Sequence, residues 1–97
     1  MTRATGKGGE EMKLYTLTAQ YRMVLEDRSD IEIEEFIDIF TEYFDADAWF
    51  ASEIEVLRNT KAMSKSIKEI TLILRSVPMK GNVIEKQDAT ILRTVTV

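Results

Sequence analysis

Apolar residues recur at three- and four-residue spacing through the first half of the chain and at two-residue spacing at its end. From Glu10 to about Asp27, Leu14, Leu17, Tyr21 and Val24/Leu25 trace one stripe of a helix. Arg28-Ser29-Asp30 interrupts it, and Ser29 with Glu32 fits a capping box, with Asp30 an equal candidate for the cap. Ile31 to Phe44 then reads as a second helix, with Ile33, Phe36, Ile37, Phe40, Tyr43 and Phe44 on a broad core-facing side. A third helix begins near Asp45 or Asp47, either a good N-cap, and presents Trp49, Phe50, Ile54 and Leu57. Val56, Met63, Ile67, Ile70, Leu74 and Val77 continue at near-heptad spacing, which allows a helix unbroken to Ser76, before Pro78. Against that, Ile70-Thr71-Leu72-Ile73-Leu74 is rich in β-branched residues. Thr90 to Val97 alternates strictly, as a strand does, and a lone strand needs a partner for its backbone groups. Residues 70–77 are the nearest candidate, with the turn signal Pro78-Met79-Lys80-Gly81-Asn82 between and 83–86 as a possible middle strand. The expected fold is α+β: three helices followed by a small antiparallel sheet. The alternative is an all-α helical hairpin or coiled coil with a loose C-terminal tail.

Length adds a bound. Ninety-seven residues make one domain, and a chain this short buries only about 60–65% of its unfolded surface. Residues 1–9, MTRATGKGG, carry no periodicity. Their Gly6-Lys7-Gly8-Gly9 lacks the spacing of a phosphate loop. Residues 1–11 read as a disordered leader or tag, and residues 12–97 as a single small domain. Gly-Gly-Glu is encodable as GGA-GGA-GAA, a purine-rich bacterial ribosome-binding site just ahead of Met12, so Met12 is a candidate native start. Mapping the N-terminus of the natural product tests this.

There is no cysteine and no histidine, which removes disulfides, thiolate nucleophiles and the usual general base and zinc ligands. No apolar run approaches the roughly 18 residues of a spanning helix, so the expected location is the cytoplasm of a bacterial host.

The net charge of −4 hides a separation. Residues 23–57 hold twelve acids and one base; residues 58–97 hold eight bases and three acids. On a helix, Glu35, Asp38, Glu42 and Asp45 would stack on one face, flanked by Glu34 and Asp47, with the last acids at the unfavourable end of the helix dipole. Arg58, Lys61, Lys65 and Lys68 would form a matching basic stripe, suited to ion pairing or to phosphates. Asp45-Ala46-Asp47 lacks the remainder of a calcium loop, and no carboxylate pair lies in an evident cleft. No cofactor, metal or enzymatic activity is expected.

Met12-Lys-Leu-Tyr-Thr-Leu-Thr-Ala-Gln-Tyr and Leu25-Glu26-Asp27 resemble the opening of a family of small siphophage coiled-coil proteins. A second echo lies in Ala51, Ile54, Leu57, Lys61-Ala62 and Ile67-Lys68. The resemblance implies a phage origin, an association with phage resistance, a coiled coil and no catalytic residues. The sequence departs from the family after about residue 70.

Together these features point to a non-enzymatic phage or mobile-element protein. Its acidic helix would bind a basic surface of a nucleic-acid-processing enzyme, as inhibitors of the anti-CRISPR or anti-restriction type do. One alternative is a structural or assembly protein that dimerises through Met63, Ile67, Ile70 and Leu74. The other is a nucleic-acid binder using Arg58, Lys61, Lys65 and Lys68. No membrane partner is expected.

Overall fold

A computed structural model gives the structure of the protein and describes residues 12–97. The leader expected over residues 1–11 lies outside the described residues. The elements run β1 (Met12–Val24), β2 (Asp30–Phe40), α1 (Tyr43–Ala62), β3 (Ile67–Lys80), β4 (Val83–Ile84), a 3-10 turn (Lys86–Asp88) and β5 (Thr90–Thr96). Every strand pairing is antiparallel. β1 lies between β2 and β3. The far side of β3 is shared: β4 pairs Met79 and Lys80, and β5 pairs residues 71–76.

This overturns both expected architectures. More than half of the described residues are in strands, and α1 is their one α-helix. The three-helix reading fails because its first two helices are a β-hairpin. The coiled coil, including the one implied by the family resemblance, fails because residues 67–80 are a central strand.

The hairpin deceives for a definable reason. In β1, Tyr15, Leu17, Ala19 and Tyr21 face α1, while Leu14, Thr16 and Thr18 face the opposite side. A central strand buries residues on both faces, so no clean alternation shows. In β2, Leu17 pairs Asp38 and Thr18 pairs Phe36, which leaves Ile37 as the extra residue of a β-bulge. The bulge shifts the alternation, so that Ile33, Ile37 and Phe40 fall at spacings of four and three, as on a helix. Arg28-Ser29-Asp30 does not cap a helix. Arg28 N–H donates to the Leu25 carbonyl and Leu25 N–H to the Ser29 carbonyl, closing the hairpin. Arg28 takes the left-handed φ of 70° that such a turn requires. Hydrogen bonding from Ser29, from its side chain first and then from its N–H, holds the Asp27 carboxyl below its usual pKa.

The core lies between the sheet and α1. Leu17, Ala19, Ile70, Leu72 and Leu74 from the sheet meet Ala46, Phe50 and Leu57 from the helix, at one-turn and two-turn spacing. α1 starts two residues ahead of the expected Asp45 and ends at Ala62, not Ser76. Ser64-Lys65-Ser66 lead into β3, which was the partner expected for the C-terminal strand. The expected middle strand at 83–86 is only the two-residue β4, and it lies beyond β5 along β3 rather than between them. Gly81 at φ 60° opens the two-residue turn into β4, a position where a side chain would be strained.

Candidate functional site

The sheet edges place the charged residues. β2 is the outer strand on one side and carries Asp30, Glu32, Glu34, Glu35 and Asp38 with no base. Glu35 looks toward α1, where its carboxylate accepts a 3.0 Å hydrogen bond from the Tyr21 hydroxyl. Burial, that hydrogen bond and the charges of Glu35 and Glu53 push the Tyr21 pKa up to about 12. Glu34 lies on the opposite face, 3.8 Å from the Arg75 guanidinium. Asp38 sits in the bulge and accepts from the Ile39 N–H.

The helical stripe Glu35-Asp38-Glu42-Asp45 does not exist: two of its members are on β2 and two at the start of α1. Glu42 occupies the N-cap position, without a side-chain capping bond, and Asp45 lies in the first turn. Both therefore stand at the favourable end of the helix dipole, the reverse of the sequence expectation. Asp47 is drawn away from the others, into an ion pair with Arg93 of β5. The corner from β2 into α1 nevertheless remains acidic.

The basic stripe is also dispersed. Arg58 pairs Glu55 one turn back on α1, Lys61 is in the last turn, Lys65 is in the following loop, and Lys68 on β3 donates to the Lys65 carbonyl. The expected dimer seam is divided in the same way. Ile70 and Leu74 are fully buried in the chain's own core, Ile67 packs at its margin, and Met63 at the helix end is 87% exposed.

The sheet face away from α1 holds a cleft of about 470 Å³, where the sequence suggested none. Its floor comes from β1 and β3, through Leu14, Thr16, Thr18, Arg75 and Val77. Phe36 and Ile39 of β2 form one wall, and residues 84–89, after β3, form the other. Arg75 was not anticipated. Its signal in the sequence is a lone cation inside Ile-Thr-Leu-Ile-Leu-Arg-Ser-Val, on the phase opposite to Leu72 and Leu74.

Among the described residues no group of three or more acids is placed to hold a metal ion, and no helix is long and apolar enough to cross a membrane. Compared with protein-family models, curated proteins and solved structures, the chain matches none.

Proposed function

We propose that the protein is a non-enzymatic interaction domain that docks its acidic β2 edge onto a basic surface of a partner protein. The observation that carries this reading is an outer strand with five carboxylates and no base. Its outward N–H and C=O groups have no neighbouring strand among the described residues. Acids on an edge strand have a structural use, because they repel a second such edge and so limit aggregation. They do not repel a basic surface. Carboxylates and free backbone groups together suit a strand or loop rich in Lys and Arg, held by main-chain hydrogen bonds and steered by charge. Glu42 and Asp45 extend the acidic surface around the corner into α1. The nucleic-acid channel of an enzyme is basic by necessity and is the partner class this chemistry matches best.

The test is capture from a bacterial host extract with the full chain and with the triple variant Glu32→Gln/Glu35→Gln/Asp38→Asn. The reading expects a partner that is retained at low salt, released at high salt and lost in the variant. Capture unaffected by the variant would refute it.

A second reading is favoured by the opposite edge. β5 has no acid and exposes Ile91 and Leu92, so two copies pairing β5 to β5 would meet no like-charged carboxylates. Sedimentation across a wide concentration range decides it: a monomer throughout removes self-assembly.

A further inference from the structure

We infer that the cleft on the face away from α1 binds a small amphiphilic carboxylate, with its head on Arg75 and its aliphatic tail between β2 and residues 84–89. This inference is independent of the β2 docking surface.

The guanidinium carries it. Arg75 rises from a central strand, and its side chain is only 23% exposed. An arginine has five N–H donors. Here one nitrogen donates to the Thr18 hydroxyl at 2.9 Å. Glu34 lies 3.8 Å away, close enough for charge attraction and too far for a hydrogen bond. The other donors have no acceptor among the described residues and are left to solvent or a ligand. The cleft around Arg75 is lined mostly by apolar side chains, Leu14, Val77, Ile84, Phe36 and Ile39 among them, with Thr16, Thr18, Glu34 and Lys86 as its other polar members. A planar fork of donors in an apolar cleft is complementary to a carboxylate joined to a hydrocarbon.

The charges set the valence of the head. Arg75 and Lys86 line the cleft with Glu34 as the single acid, which leaves one positive charge for the ligand to balance. Glu34 would also repel the second charge of a phosphate monoester, so a monoanion fits better. The cleft volume is within the usual range for small-molecule sites, and the half-exposed Phe36 and Ile84 form a lip over which a tail can lie.

Sodium decanoate, 1-decanol and decyl phosphate are the probes, titrated below any micelle formation into the full chain and followed by two-dimensional NMR. Decanoate should shift the Leu14, Ile39, Val77 and Ile84 methyl signals saturably. Decanol and decyl phosphate should bind more weakly, and Arg75→Met, which keeps an apolar stem, should weaken decanoate by roughly tenfold or more. No saturable shift with decanoate, a phosphate preferred to it, or equal binding by a folded Arg75→Met overturns the inference. If Arg75→Met does not fold, Glu34→Gln decides. Glu34 is exposed, and losing its competing charge should tighten decanoate several-fold; unchanged or weaker binding overturns the inference.

Discussion

The two outer strands of this sheet are built on opposite principles. β2 is crowded with carboxylates, and no strand pairs its outer edge among the described residues. β5 reads Thr-Ile-Leu-Arg-Thr-Val-Thr and has one charge, Arg93, which is turned inward: its guanidinium lies 4.3 Å above the Phe50 ring and pairs with Asp47 of α1. Like charges keep the first edge from pairing with its like, whereas the second carries no such repulsion and is tied to α1 through Arg93. The acids thus lie on the edge we propose for a partner, while β5 is anchored to the core through Arg93 and the half-buried Val95.

The largest expected effect breaks the packed side. Phe50 is fully buried and supports both the core and Arg93. Phe50→Ala should cost about 3–5 kcal/mol in denaturant unfolding, as large-to-small core changes do. Hydrogen exchange should then rise more in β5 than in β2. Arg93→Ala is gentler. It removes a cation–π contact and a half-exposed ion pair, together worth about 1 kcal/mol, and should loosen β5 alone.

On the β2 side the handle is pH. The Tyr21 hydroxyl on β1 is bonded to Glu35 on β2, and its pKa is raised to about 12 from the ordinary 10. A raised pKa favours the protonated phenol in the folded state. Its contribution is full below about pH 10 and is lost as pH rises through about 12. Unfolding titrations should show stability falling across that window, and Tyr21→Phe should flatten the fall. The smallest effect is in the hairpin turn. Arg28 at φ 70° carries a strain of roughly 1–2 kcal/mol for an L-residue, and glycine there offsets part of it with its own entropy cost of roughly 0.5–1 kcal/mol. Arg28→Gly should raise the unfolding free energy by less than about 1 kcal/mol.

The same two edges mark how far the fold was legible in the sequence. β5 was read correctly because nothing disturbs its Thr/Val alternation over 94–97 and it has one neighbour, β3. Its own bulge, at Leu92, comes early enough to leave that pattern clear. The core face of α1 was also legible in Phe50, Ile54 and Leu57, since a helix on one side of a sheet needs only one apolar stripe. β2 was misread because Ile37, the residue of its bulge, converts a period of two into spacings of four and three. β1 was misread because it buries residues on both faces, Leu17 under α1 and Leu14 and Thr18 on the side of the cleft.

The candidate site follows the same logic. The acidity of residues 30–45 was evident in composition and survives in the fold, but its geometry depended on the misread strand. Glu34 and Glu35, neighbours in sequence, point to opposite faces, one to Arg75 and the other to Tyr21. Only a strand does that. The Arg75 cleft required three segments, β2, β1–β3 and residues 84–89, to meet around one side chain, and no local pattern announces such a meeting.

The central claim is that β2, not β5, is the edge that meets a partner. Backbone amide hydrogen exchange, compared between the free chain and the complex captured from host extract, tests it most directly. The account predicts new protection along residues 30–40 and at the Glu42–Asp45 corner, with residues 90–96 unchanged. Protection of β5 with β2 unaltered would contradict it.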